Sequence, residues 1–219
     1  MKSKEAVIDE IKRAFAGNAF PGEQYLQGST EGCEPYEEVG PFGDKHDWQQ
    51  IDAEFLDAHA GALCFFSETG FRYFLPSFLI ADLREQLQYA DPLFHLTNGF
   101  RDITVTIEKP NRVFEIISGK SALINPRRYG AMTTHDYLRY RLSVFTREEA
   151  QAIVAYLQYK RAVDQDGYDT PAIDAALNSF WLERAQSAPT AADLQRYLAE
   201  QEAYLAEIHA ERNGNADTR

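Results

Sequence analysis

With 219 residues, of which 44% are hydrophobic and 13% aromatic, the chain has the material for one core and excludes disorder away from its two ends. Its net charge of −12 excludes a phosphate-tracking nucleic-acid binder and general adhesion to anionic membranes, both of which need clustered Lys and Arg. Two cysteines, Cys33 and Cys64, exclude a disulfide framework, and the longest apolar stretch, Phe71–Leu83, is broken by Arg72, Pro76 and Asp82 and is too short to span a bilayer.

Val7, Ile8, Ile11, Ala14 and Phe15 recur at helical spacing, with Ser3 as a cap and Gly17-Asn18 as the stop. From there to about Gln50 the chain is rich in Gly, Pro and Glu and reads as a long ordered loop anchored by residues such as Tyr25, Phe42 and Trp48. The stretch Asp52–Leu87 is too dense in aromatic and aliphatic residues for a surface element. It predicts a buried helical hairpin in which Ser67 caps a helix from Glu68, and Pro76 either opens a further helix or kinks this one.

Alternation of Ile103, Val105 and Ile107 with threonines, then a β-branched run over Val113–Ile117, predicts a hairpin turning at Glu108–Arg112. An isolated hairpin is marginal in water, so it must pack on the helices or gain another strand. Residues 118–140 look irregular. Thr146 and Glu149 then frame a capping box ahead of the stripe Ala150, Ile153, Val154 and Leu157. Thr170-Pro171 starts a helix striped by Ile173, Ala176, Leu177, Phe180 and Trp181, and Thr190 caps a last one striped by Leu194, Tyr197, Leu198, Tyr204, Leu205 and Ile208. These two predict an antiparallel pair.

The result is an α+β chain, predominantly helical, with six or seven helices and one β-hairpin. Residues 1–165 read as a core domain with a long N-terminal loop and a hairpin near 103–117. Residues 170–211 read as a helix pair packed on or projecting from it. No apolar leader follows Met1–Lys4, so a cytoplasmic location with reduced thiols is the expectation.

Several segments together resemble a family of uncharacterised bacterial proteins catalogued as a domain of unknown function. The resembling text runs from Cys33-Glu34-Pro35-Tyr36 through Phe55-Leu56-Asp57-Ala58-His59 and Ala62–Ser67. It continues through a core block Phe71-Arg72-Tyr73-Phe74-Leu75-Pro76, then Phe94-His95-Leu96-Thr97 and the helix after Phe145-Thr146. The resemblance implies a bacterial source and no catalytic residues.

Chemistry has few footholds. Gly119-Lys120-Ser121 matches the end of a phosphate loop, but Phe114 stands where that motif needs glycine. Cys33, His46, His59 and Cys64 match tetrahedral zinc in number and lack its close pairs, so no metal and no cofactor is expected. His135-Asp136, with His95 upstream and Asp193 downstream, resembles a helical His–Asp metal site only by the doublet. The remaining candidate is Arg72, Tyr73, Asp82 and His95. Arg72 and Tyr73 are polar tips in a core block and need partners, which Asp82 and His95 can supply as structural satisfaction or as a small-anion pocket.

The charge is uneven as well. Residues 101–141 hold eight basic residues against four acidic ones, a balance of +4 that leaves −16 elsewhere. A non-enzymatic interaction or adaptor protein, using acidic faces toward a partner with a basic surface, is therefore the first functional expectation. An enzyme or small-anion binder at Arg72, Tyr73 and His95 is the alternative, and a homodimer through the C-terminal helices a separate expectation.

Overall fold

The computed structural model describes residues 2–100, 103–110, 112–118, 134–187 and 191–216. Of 134–136, 191–195, 209–216 and most of the hairpin, it describes the backbone alone. Ten helices and one antiparallel hairpin make up the described residues, so the helix-dominated fold is as expected but the helices outnumber the six or seven predicted. In chain order the helices are α1 (Lys4–Phe15), α2 (Glu34–Val39), α3 (Ala53–Ala58), α4 (Ala62–Phe65), α5 (Glu68–Leu83) and α6 (Pro92–Thr97). After the hairpin come α7 (Thr134–Leu142), α8 (Arg147–Val163), α9 and α10 (Ala191–Ala216). Helix α9 runs over Thr170–Ala176, widens through a π turn at Leu177–Trp181 and finishes as Leu182–Gln186.

Two of the additional helices correct the sequence reading. The expected long loop holds α2 and the 3₁₀ turns Glu23–Tyr25, Gly40–Phe42 and Trp48–Gln50. Helix α2 starts on Glu34 and carries Pro35 and Glu37 in the same first turn, where proline lacks no needed donor and carboxylates favour the helix dipole. Part of the segment expected to be irregular is α7. Its inward face is Leu138, Arg141 and Leu142, and the charge of buried Arg141 breaks what would otherwise read as an apolar stripe.

Helix α5 is the axis of the core. Phe71, Phe74, Phe78 and Leu79 are each 0% exposed, as the aromatic block predicts. Full burial of each such side chain contributes roughly 1.5–3 kcal/mol. Ser67 caps the helix by accepting from Gly70 N–H at 3.0 Å, while its hydroxyl donates to the Tyr25 carbonyl. Pro76 lies inside this one helix and removes the N–H that the Arg72 carbonyl would accept. Phe42 packs edge-on against Phe55, Phe66 and Phe74, which explains how the N-terminal segment stays anchored.

That segment is also tied in by backbone. Gln27 and Phe66 form an isolated antiparallel bridge, with Gly28 N–H on Phe65 O and Ser67 N–H on Leu26 O, both at 2.7 Å. The approach requires glycine twice: a Cβ on Gly28 would lie 2.8 Å from Phe66 O, and one on Gly70 2.7 Å from Leu26 O.

Around α5, helix α1 packs against α5 and α8, and α9 packs against α8 and α6. The capping box at Thr146 and Glu149 is present and starts α8 as predicted. Phe180 and Trp181 are both buried at the π turn, and the Trp181 indole donates to Leu96 O at 3.0 Å. The last helix also lies on the core: Tyr197, Leu205 and Ile208 are buried, and the Tyr197 hydroxyl donates to Arg141 O. Gln201, itself 3% exposed, accepts from Thr69 N–H at 3.2 Å and donates to Glu68.

The hairpin pairs β1 (Ile103–Lys109) with β2 (Arg112–Ser118) in the register Ile103↔Ser118 to Lys109↔Arg112, which shortens the expected turn to two residues. Among the described residues these are the only paired strands, and Thr106, Glu108, Lys109, Arg112 and Val113 are exposed. No helix of the described residues is long and apolar enough to cross a membrane.

Candidate functional site

An α-helix turns about 100° and rises about 1.5 Å per residue, so neighbours diverge and positions ten apart stand roughly 15 Å apart. Arg72, Tyr73 and Asp82 all belong to α5, and this geometry gives each a different hydrogen-bond partner. The four residues singled out by sequence do not form one cluster.

Arg72 meets Glu149, not Asp82. Its Nε lies 2.9 Å and 3.1 Å from the two carboxylate oxygens, and a terminal nitrogen donates to Asn18 Oδ1 at 3.1 Å. The Asn18 amide donates back to Glu149 at 2.7 Å. Tyr73 is buried against Phe20 and Phe74 and donates to the His46 carbonyl at 2.6 Å. Burial first raises its phenol above the ordinary value. Arg72 and Tyr73 nevertheless share a cleft of about 270 Å³ with Asn18, Pro21, Thr69 and Leu198.

His95 is held elsewhere, on α6. Its Nε2 stands 3.9 Å from Cys64 Sγ, and its ring faces Phe71. Arg141, stacked 4.4 Å over the Phe71 ring, donates to Leu63 O at 2.6 Å. Burial first, and Arg141 second, push the imidazole pKa down to about 3. Burial likewise raises the Cys64 thiol, with Arg141 opposing and Glu34 and Glu38 assisting. Both groups are therefore neutral at pH 7, a thiol beside an uncharged imidazole and not a thiolate–imidazolium pair. Cys64 is exposed, where its apolar sequence context suggests a small core residue.

Asp82 belongs to the opposite end of α5. It accepts from the fully buried Tyr156 hydroxyl at 2.7 Å and pairs with Lys160 at 3.0 Å. Burial, then Asp82, raise the Tyr156 phenol well above its ordinary value. Three more carboxylates gather here. Asp169 is raised by burial first and then by Asp164 and Asp91, with Asp82 adding to it and Lys160 opposing. Asp164 is held low by the Thr170 hydroxyl first, and it also accepts the Asp169 and Thr170 N–H groups at 3.0 and 2.8 Å. In the chain segments that carry Asp91 and Asp169, Tyr89 is 71% and Tyr168 85% exposed. The loop that carries Tyr89 is fixed by Asp57, whose Oδ1 accepts from Gln88, Tyr89 and Ala90 N–H. Sequence reasoning missed Tyr156 and Lys160, although their spacing puts them one turn apart on α8.

The other candidates separate. His46 turns to Gly43 O and Phe20, His59 packs on Phe55, and Cys33 begins α2, exposed. Among the described residues no group of three or more His, Cys, Asp or Glu is arranged to hold a metal ion. Gly119-Lys120-Ser121 and the side chains of His135, Asp136 and Asp193 lie outside the described residues.

No curated protein and no solved structure matches the chain. Residues 3–185 match a family of unknown function (DUF6714), so the chain belongs to that family, and α10 lies beyond the matched region.

Proposed function

We propose that this is a non-enzymatic interaction protein of the bacterial cytoplasm that takes a basic segment of another protein on the end of the fold around Asp91 and Asp169. One observation supports the reading above the rest. Asp164, Asp91 and Asp82 lie close enough to Asp169 to raise the cost of its charge, with Lys160 opposing them. Tyr89 and Tyr168 stand exposed in the chain segments that carry Asp91 and Asp169. Such a surface steers a cationic segment by charge and holds Arg or Lys on aromatic faces.

The test is fluorescence anisotropy with a labelled Lys/Arg-rich peptide, at low and high salt, against an acidic peptide of equal length. Binding should be salt-sensitive and confined to the basic peptide. The Tyr89→Ala/Tyr168→Ala double variant should weaken it about tenfold, two cation–π contacts of about 0.5–1 kcal/mol each. Equal binding of the acidic peptide, or an unaffected double variant, rejects the reading.

The alternative, an enzyme or small-anion binder built on Arg72, Tyr73 and His95, has the cleft beside Asn18 in its favour. Against it, Glu149 already neutralises Arg72, and His95 lies on α6, near Cys64 of α4 and Arg141 of α7.

A further inference from the structure

A second cavity, of about 300 Å³, opens beside α1 and the C-terminal half of α5. Lys12, from the last turn of α1, and Arg84, which ends α5, both line it. Among the described residues neither side chain has a hydrogen-bond or ion-pair partner. In a chain of net charge −12, two uncommitted cations on one cavity stand out from their surroundings.

The local carboxylates are turned to other duties. Asp52 also lines the cavity, but its Oδ1 caps α3 by accepting from Phe55 N–H at 2.7 Å. Glu85 is 84% exposed at its side chain and lies 3.7 Å from Lys4. Nor do helix-end carbonyls compete for the cations. Ile80, Ala81 and Asp82 O accept from the N–H groups of Arg84, Gln86 and Glu85, a closure that holds Glu85 in the left-handed region at φ 59°. A helix dipole accounts for one cation at each helix end. It gives no reason for both to border one hollow.

The remaining lining combines an apolar wall, including Trp48, Ile51 and Ile80, with the amides of Gln49 and Gln86. We propose that this cavity binds a small organic dianion, a phosphate monoester on a compact apolar body. The phosphate sits between Lys12 and Arg84, and the body lies against Trp48 and Ile80. The site shares no lining residue with the acidic cluster proposed for partner binding and does not depend on it.

Isothermal titration calorimetry with phenyl phosphate, inorganic phosphate and benzoate tests it, on the full chain. Phenyl phosphate should bind most tightly. Lys12→Gln and Arg84→Gln should each weaken it about tenfold or more, the loss of a charge-assisted contact. Lys109→Gln, on the exposed hairpin, should leave it unchanged. Absence of phenyl phosphate binding, wild-type affinity in the Lys12 and Arg84 variants, or an equal loss in the Lys109 variant overturns the site. Inorganic phosphate binding as tightly removes the apolar body, and benzoate binding as tightly removes the dianion. Circular dichroism and unliganded Tm report folding of each variant, and should Arg84→Gln unfold, half-buried Lys12 carries the test alone.

Discussion

Arg72 and Glu149, from helices α5 and α8, meet through a single guanidinium nitrogen that spans both carboxylate oxygens, at 2.9 and 3.1 Å. The same carboxylate accepts the Thr146 N–H at 2.7 Å and the Asn18 amide, so one side chain at 1% exposure joins the segment after α1, α5 and the start of α8. Removing one partner strands the other charge in the interior. Arg72→Met is expected to cost about 3 kcal/mol in urea unfolding, and Glu149→Gln somewhat less because the amide still accepts. The double variant should cost less than the sum of the two. Strict additivity would show that the pair is not coupled.

Tyr156 gives a prediction at alkaline pH. Its native pKa lies above the ordinary 10.0, so the unfolded chain releases this proton first. The stability it contributes is fully present below pH 10 and falls as pH rises toward the native value. Tyr156→Phe should flatten that alkaline decline and cost about 1 kcal/mol at neutral pH through the lost bond to Asp82. Unfolding curves across the alkaline range decide it. An unchanged slope would mean that Tyr156 is not the group being titrated.

His95 predicts the opposite limb. With a native pKa near 3 against an ordinary 6.5, the imidazole resists a proton that the unfolded chain accepts. Its contribution is present above pH 6.5 and is lost as pH falls toward 3. His95→Gln should flatten the acid limb, and in NMR the His95 ring should hold its chemical shift through the ordinary histidine range. A midpoint near 6.5 would place the ring in water.

Gly28 and Gly70 predict a steric cost at the bridge to the N-terminal segment. An added Cβ would lie 2.8 Å from Phe66 O at Gly28 and 2.7 Å from Leu26 O at Gly70, and Leu26 O is held in place by the Ser67 N–H. Gly70→Ala is expected to destabilise by about 1–3 kcal/mol despite alanine's better helix propensity. A stabilised variant would show that the segment holding Leu26 can move aside.

Much of the fold was legible because local chemistry and burial agree at α1, α5, α8 and α9. Ser3, Ser67 and Thr146 cap where expected, and the stripes behind them are inside. What sequence obscured was burial of charge. Arg141 and Glu149 are buried because carbonyls, a ring face and an opposite charge compensate them, and such partners come from distant helices. The four polar residues expected around Arg72 stay apart for the same reason. Their residue types did call for partners, but rotation and rise along α5 send Arg72 and Asp82 to different helix neighbours.

The last helix touches this logic from outside the family boundary. Gln201 shields the opening turn of α5 at Glu68 and Thr69, both within the matched residues, from beyond position 185. A relative that stops short of this helix would leave that turn open to water. It would then have no use for an amide reaching in from the C-terminal side, and a plain surface residue in place of Glu68 would serve it equally well.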